Sequence, residues 1–316
     1  MSSVVIESTK KCIKKSKVCR AFMYLPTESF YLYLKLKLLL VSDKKYITDR
    51  YKRVFKKVPN LEDPQTMNEY INHRKLYEKN PLLTLCSDKY LVREYVSNKV
   101  GEEYLIPLLA ASEDVYEIDF HALPNSFVVK VNHGSGQNMI VKDKSSINIQ
   151  EMQVLFHHWM KRSHYYNNRE WQYKDIKPMT IVEEILIDES GDVPKDYKFH
   201  TLNGKVEMIQ VDSERFSDHK RIFYSSTWDK LDFMWVPVDK NGDAKYQQAD
   251  EQEKPKDLEK MIAIVEKLAE DFKYVRVDLY YSNEKIYFGE LTFTHENGLA
   301  KFFPEKYDAY FGEKLL

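Results

Sequence analysis

The apolar residues of this chain keep a helical spacing up to about residue 100 and change to strand-like alternation from about residue 126. Residues 5–57 read as basic helix, broken at Pro26-Thr27-Glu28, where a second helix begins. Within that region, 30–41 is an apolar run interrupted by Lys35 and Lys37. It is too short to span a bilayer; it suits an amphipathic or buried helix, or one lying in a membrane interface. Residues 59–64 form a turn-rich junction. Met67, Tyr70, Ile71, Leu76 and Tyr77 then recur at helical spacing across 66–79. Ser87 or Asp88 offers an N-cap for a helix over 90–99, and 104–111 reads as extended.

Strands dominate after residue 126. Residues 127–131 and 139–141 flank the loop 132–138 as the arms of a hairpin do. A helix is predicted over 147–161, and 180–187 is an apolar strand containing Glu183 and Glu184. Residues 196–202 and 205–211 alternate around Asn203-Gly204, a strong two-residue hairpin signal. Leu258, Met261, Ile262, Val265 and Leu268 mark one stripe of a helix over 257–272, and 276–281 with 286–292 form a last hairpin. Helices followed by mixed strands and helices without βαβ regularity predict an α+β fold with an antiparallel-rich sheet.

Composition narrows the partners. With 316 residues, 43% hydrophobic and 14% aromatic, the chain can build a sizeable core. A net charge of −1 argues against a dedicated nucleic-acid binder, so no nucleic-acid partner is expected. The charge is uneven, however. Residues 1–57 hold fifteen Lys and Arg against four acids, a balance of +11 that leaves −12 for the rest. A basic head of this kind is either a solvated helix face or a contact for an anionic membrane or polymer. Cys12, Cys19 and Cys86 make an odd set without a CxxC or zinc spacing, which fits a reducing cytoplasm. Cys12 and Cys19, seven apart, would share a helix face as core residues. The first thirty residues lack the apolar core of a signal peptide.

Two segments carry candidate chemistry. In the last hairpin Arg276, Asp278 and Tyr280 share one strand face, and Phe288, Glu290 and Thr292 share another. A three-residue turn at 283–285 would set Asp278 directly across from Glu290, an arrangement that costs stability unless a cation intervenes. Magnesium suits two hard carboxylates; alternatively Arg276 neutralises one of them. In the other segment, Lys130 stands in an apolar strand that runs into His133-Gly134-Ser135-Gly136. A lysine there either snorkels or meets an anion, and the loop's N–H groups can cradle phosphate or simply close a hairpin. GxGxxG spacing and a GK[ST] ending are both missing, so neither a dinucleotide fingerprint nor a P-loop is present. One of Glu183 and Glu184 points inward, free to hold an adenine amino group or a ribose hydroxyl, unless this is a solvated edge strand. Asp196 and Lys198 share a face as a surface ion pair or as a ribose and phosphate contact, with Arg215 as a second cation nearby.

Taken in order, Ser87-Asp88-Lys89, Val128-Val129-Lys130 with its His-Gly-Ser-Gly loop, Val182-Glu183-Glu184, Asp196-Tyr197-Lys198, Val277-Asp278 and Gly289-Glu290-Leu291-Thr292 resemble the ATP-grasp superfamily. The nearest branch is the TupA-like ATP-grasp proteins associated with bacterial surface-polysaccharide genes, over residues 48–314. The resemblance implies two α+β subdomains clasping a nucleotide: a basic helical region over 1–86, a small subdomain with the phosphate loop over 87–182, and a large subdomain with the metal hairpin over 183–316. It implies ATP and Mg2+ as cofactors. Lys89 and Lys130 would contact the nucleotide, 133–138 would cover the β- and γ-phosphates, and Glu183 to Leu186, with Glu184, would form the adenine hinge. Asp196 would join the nucleotide contacts, while Lys198 and Arg215 would be the catalytic cations on the transferred phosphate. Asp278 and Glu290 would hold magnesium. Thr292 stands where such enzymes often carry asparagine, so Thr292, Asn297 or water would complete the metal's ligands. No Rossmann-like preceding domain is apparent; the basic helical region takes its place.

The implied activity is that of a carboxylate–amine ligase acting through an acyl phosphate. It would join an amino acid or amine to a uronic acid of a capsule or O-antigen polysaccharide. A sugar kinase or glycosyltransferase-like transferase using the same cleft is the other enzymatic reading. A binding module that has lost chemistry is a third, against which Lys130, Asp278 and Glu290 count. The expected location is cytoplasmic, or peripheral at the inner face of the membrane through residues 1–57.

Overall fold

The computed structural model describes residues 17–188, 191–213 and 219–315. Its helices and strands run in the order α1 (Lys17–Leu40), α2 (Asp43–Phe55), α3 (Met67–Tyr77), α4 (Pro81–Ser87), α5 (Val92–Val100), β1 (Leu108–Ser112), β2 (Phe127–Val131), β3 (Asn138–Val141), α6 (Ile149–Met160), α7 (Tyr165–Asn168), β4 (Thr180–Glu183), β5 (Asp196–Leu202), β6 (Lys205–Ser213), β7 (Lys220–Tyr224), β8 (Met234–Val236), β9 (Gln247–Gln248), α8 (Leu258–Ala269), β10 (Tyr274–Ser282), β11 (Lys285–Thr292), β12 (Lys301–Phe303) and α9 (Lys306–Glu313). The α+β expectation holds.

Two antiparallel-rich sheets organise the chain. The smaller has the order β1-β4-β2-β3, and the larger β11-β10-β5-β6-β7-β9. Phe127, Val129, Val131 and Val182 of the small sheet pack on Met152 and Phe156 of α6. On the large sheet, Phe199, Ile209, Val211, Val277 and Leu279 lie against Met261, Val265 and Leu268 of α8. Val92, Tyr95 and Val96 of α5 and Leu83 of α4 join that same core. These two helices therefore belong by packing with the large sheet, although they precede the small one in sequence. Trp235, Phe302 and Phe311 close the end of the large sheet over Met67 and Ile71 of α3.

Several boundaries differ from expectation. Helix α1 runs on through Pro26, where a break was expected. The seven-residue α4 was not anticipated. Asp88 Oδ1 accepts from the N–H groups of Tyr90 and Leu91, but the regular helix starts only at Val92. Thr66 caps α3 by accepting from Glu69 N, and Glu69 reaches back to the N–H groups of Gln65 and Asn60. Strand β4 stops at Glu183 rather than Ile187, because the next residues leave the ladder to cross to the large sheet. There the Ile187 carbonyl accepts from Ser282 Oγ and Asn283 Nδ2. Cys86 is buried and Cys12 lies outside the described residues.

Candidate active site

One face of the large sheet is apolar and the other carries a row of charges. Residues paired directly across antiparallel strands share a face. Glu290 pairs with Asp278, Asp278 with Lys198, and Lys198 with Gln210, so this row crosses four strands. Asp212 and Arg221, paired across β6 and β7, extend it. The expected opposition of Asp278 and Glu290 is present, but a different device produces it. The turn has two residues, Asn283 and Glu284, both at positive φ (51° and 59°), and Ser282 pairs with Lys285. Continued without interruption, that register would put Gly289 opposite Asp278. A bulge between Asp278 and Leu279 moves the pairing by one residue and brings Glu290 into place. Gly289 keeps the bulge tight, since a Cβ there would stand 3.0 Å from the Asp278 carbonyl oxygen and would have to displace it.

Arg276 grips both acids. Its Nε and Nη2 donate to the two oxygens of Asp278 at 2.7 Å each, and Nη2 also donates to Glu290 Oε1 at 3.0 Å. A single cation thus reaches both carboxylates. Lys89 Nζ takes the other Glu290 oxygen at 2.8 Å. Burial alone would raise the Glu290 carboxyl, but Lys89 and Arg276 hold it well below the usual range. Asp278 is deeper: burial lifts it to about 6 against the opposing pull of Arg276 and Lys198. Burial works against the Arg276 charge, but Asp278 and Glu290 keep it firmly protonated. Arg276 Nη1 donates to His295 Nδ1 at 2.9 Å, and burial holds His295 and His200 neutral.

Lys198 is buried and pairs with Asp196 and, at 3.5 Å, with Asp212. Asp212 also accepts from Arg221 Nε at 2.7 Å, and Arg221 reaches Glu296 Oε1 at 3.3 Å. Arg215 lies outside the described residues; Arg221 is the cation seen beside Lys198. Sequence reasoning missed it because no strand was read at 220–224, where alternation would have placed Arg221 and Phe223 on the polar face. Thr292 Oγ1 donates to Glu290 Oε1 at 3.2 Å. The oxygen of the alternative metal ligand, Asn297 Oδ1, is buried without a hydrogen-bond partner.

The small sheet faces this row across a cleft. Lys130 Nζ lies 2.5 Å from Glu183 Oε2, and Arg93 Nη1 lies 3.2 Å from Glu183 Oε1. Glu183 is therefore the inward acid of the Glu183-Glu184 pair, and Glu184 is exposed. A cavity of about 90 Å³ lies between the sheets, with Val128, Lys130, Ile140, Leu186 and Tyr280 among its lining residues. Its lining mixes these apolar walls with polar groups at one edge, Lys130, Asn138, Glu183 and Glu184, a composition that suits a flat heterocycle with hydrogen-bonding edges. In the neighbouring loop the His133 side chain is turned inward: its Nε2 donates to the Arg162 carbonyl at 2.7 Å, and burial lowers its basicity. Gly134 is buried too. Ser135 and Gly136 are the exposed tip, with Gly136 at φ 73°. Asn132 anchors the base of the loop, donating to Asp88 Oδ2 and the Lys177 carbonyl and accepting from Met179 N. Lys89 N donates to the Asn132 carbonyl at 3.0 Å, so the loop and Lys89 are positioned together.

A sequence profile described as TupA-like ATPgrasp matches residues 69–316. The chain belongs to the TupA-like ATP-grasp family. The fold is that of ATP-grasp proteins. Solved structures similar to this ATP-grasp chain include D-alanine–D-alanine ligase from Bacillus anthracis, at 17% identity over 67% of this chain and 58% of that one (TM-score 0.40). The same enzyme complexed with ATP aligns at 16% identity over 74% and 64% (TM-score 0.41). The ADP complex of PurK, N5-carboxyaminoimidazole ribonucleotide synthetase, aligns at 11% identity over 67% and 46% (TM-score 0.41). The chain thus spans under two thirds of the length of each of these structures. No curated protein sequence matches it.

Proposed function

We propose that this protein is an ATP- and Mg2+-dependent carboxylate–amine ligase that works through an acyl phosphate. The observation that carries the reading is the register-locked opposition of Asp278 and Glu290, both within reach of one cation, on a hairpin whose Tyr280 lines the cavity beside Lys130. Among the described residues no three His, Cys, Asp or Glu side chains gather as a metal site. The available donors are the two carboxylates and the Thr292 hydroxyl, all hard oxygens, which fit magnesium with water or phosphate oxygens filling the remaining positions. When bound, the metal would offset the charge of the phosphates.

The residues supply the rest. The cavity beside Lys130 and Leu186 would hold adenine, with the 184–187 crossover as its hinge, and Lys130 and Lys89 would neutralise phosphate oxygens. Ser135 and Gly136 would cover the phosphates. A substrate carboxylate oxygen attacks the γ-phosphorus, the bond to the β-phosphate oxygen breaks, and ADP leaves. Lys198, Arg276 and Arg221 line the face on which that charge develops, and Arg215 would add to them. The amine then attacks the acyl carbon and phosphate departs, leaving an amide. Phosphorylation is needed because a carboxylate oxygen leaves poorly. For substrates we infer a uronic acid of a surface polysaccharide and an amino acid or amine; the +11 balance of residues 1–57 favours an acidic polymer or an anionic surface nearby.

Hydroxylamine tests the mechanism. With MgATP and a uronate-containing acceptor, the protein should yield a hydroxamate together with ADP. A stable phosphosugar would make it a kinase instead. Glu290→Gln should lower turnover by roughly 10²- to 10³-fold, as loss of a transition-state charge partner does, with the circular dichroism spectrum unchanged. Undiminished turnover would move the metal elsewhere.

A further inference from the structure

Among its described side chains, residues 29–40, helix α1 is held to the body by one side. Leu34 is buried, and Tyr31 packs edge-on against Tyr166 with ring centroids 5.5 Å apart. The opposite side is bare and apolar: Phe30 is 60% exposed, Leu32 57%, Tyr33 54%, Leu36 52%, Leu39 80% and Leu40 86%. At 100° per residue these six fall within one half of the helix circumference, a stripe of large side chains with no partner among the described residues. Lys35 stands at one edge of it and Lys37 just inside the other, with their amines over the rings of Tyr31 and Tyr46.

We infer that this face of α1 lies flat in the headgroup layer of an anionic membrane. The charge decides for a lipid surface over a second copy of the chain. The stripe is flanked by lysines and follows Lys10, Lys11, Lys14, Lys15, Lys17 and Arg20 in sequence. A second copy carries the same excess of positive charge over residues 1–57 and would repel this one, whereas anionic headgroups complement it. An apolar face with lysines at its borders is the composition of an interfacial helix, whose long cationic side chains reach the phosphates while the leucines enter the acyl boundary. The helix lies on the membrane and does not cross it: no described helix is long and apolar enough to span. The inference stands apart from the ligase reading, since it requires neither nucleotide nor turnover.

Vesicle flotation of the full-length chain tests it, using phosphatidylcholine vesicles with and without phosphatidylglycerol. The wild type should float with the anionic vesicles, weakly with neutral ones, and less at high salt. Leu36→Gln combined with Leu39→Gln and Leu40→Gln touches only exposed positions and should keep the fold by circular dichroism. It should cut flotation by about tenfold, because three inserting side chains are lost. The inference is overturned if the wild type does not float with anionic vesicles. It is also overturned if the triple variant floats equally, which would leave binding to the lysines alone. A wild type that ignores vesicles and sediments as a dimer, becoming monomeric in the variant, would assign the face to a second copy. Capture by an acidic polysaccharide without vesicle binding would likewise overturn it.

Discussion

Arg276 is the residue on which the acid pair depends when no other cation is present. It is almost wholly buried and satisfies Asp278, Glu290 and His295 together. Removing one partner of a buried ion pair typically costs about 3–5 kcal/mol, because the remaining charge stays desolvated. Arg276→Met should therefore lower stability by roughly that amount, and millimolar Mg2+ should restore part of the melting temperature in the variant and little in the wild type. Equal Mg2+ responses would mean that the two acids do not share a cation site. A second buried cation, Lys75, gives a pH signature. Burial lowers its amine from 10.5 to about 7, while Nζ donates to the Asn297 carbonyl and Asn72 Oδ1. Between pH 7 and 10.5 the unfolded chain binds more protons at this site than the folded one, so stability from this group rises with pH across that window and is flat below it. Lys75→Met should remove that slope: the difference in melting temperature between variant and wild type should change steadily from pH 7 to 10. A constant difference would show that Lys75 is charged in the folded protein.

At the scale of elements, the last hairpin shows how register is written into a chain. Alternation together with a three-residue turn at 283–285 read Asp278 and Glu290 as facing residues, but it also put Phe288 on the Glu290 face, whereas the bulge turns Phe288 into the apolar core beside Leu279. The bulge at Gly289 was not legible, because an extra residue in a ladder leaves no mark on an apolar pattern, and a three-residue turn would have produced the same opposition. Gly289→Val tests the device. Its Cβ would crowd the Asp278 carbonyl at 3.0 Å and Tyr280 Cε2 at 3.1 Å. Overpacking of this kind costs about 1–3 kcal/mol, and the denaturation midpoint should fall accordingly. An unchanged midpoint would mean that the bulge can relax. The Asn203-Gly204 hairpin and the stripe of α8 were readable for the same reason as the acids: a single period runs through each. Strand β7 was not, since Lys220–Tyr224 is short and follows a charged stretch, so Arg221 went unseen. Helix α4 is also too short to show a period. Strand β4 was read four residues too long because the crossover 184–187 keeps the apolar character of the strand before it.

At the scale of the molecule, the two sheets are joined by a few polar contacts around the cleft. Arg93 reaches Glu183 and the Lys89 N–H donates to the Asn132 carbonyl, while Tyr280 of the large sheet lines the cavity next to Lys130. In this arrangement each lysine proposed to meet phosphate is held by an acid: Lys130 by Glu183 and Lys89 by Glu290. A nucleotide bound in the cleft would exchange those pairings for phosphate and touch both sheets at once, so it would strengthen the link between them. A ligand at one hundred times its dissociation constant stabilises by about 2.7 kcal/mol. For a chain of this size each kcal/mol raises the melting temperature by roughly 2 °C. A non-hydrolysable ATP analogue with Mg2+ should therefore raise it by about 5 °C in thermal denaturation. Lys130→Met should stay folded, since Arg93 remains to neutralise Glu183, but should lose most of that rise. An equal rise in the variant would take the phosphates away from Lys130. No rise in the wild type at millimolar analogue would remove the nucleotide from this cleft, and with it the order of chemistry proposed for the charged face of the large sheet.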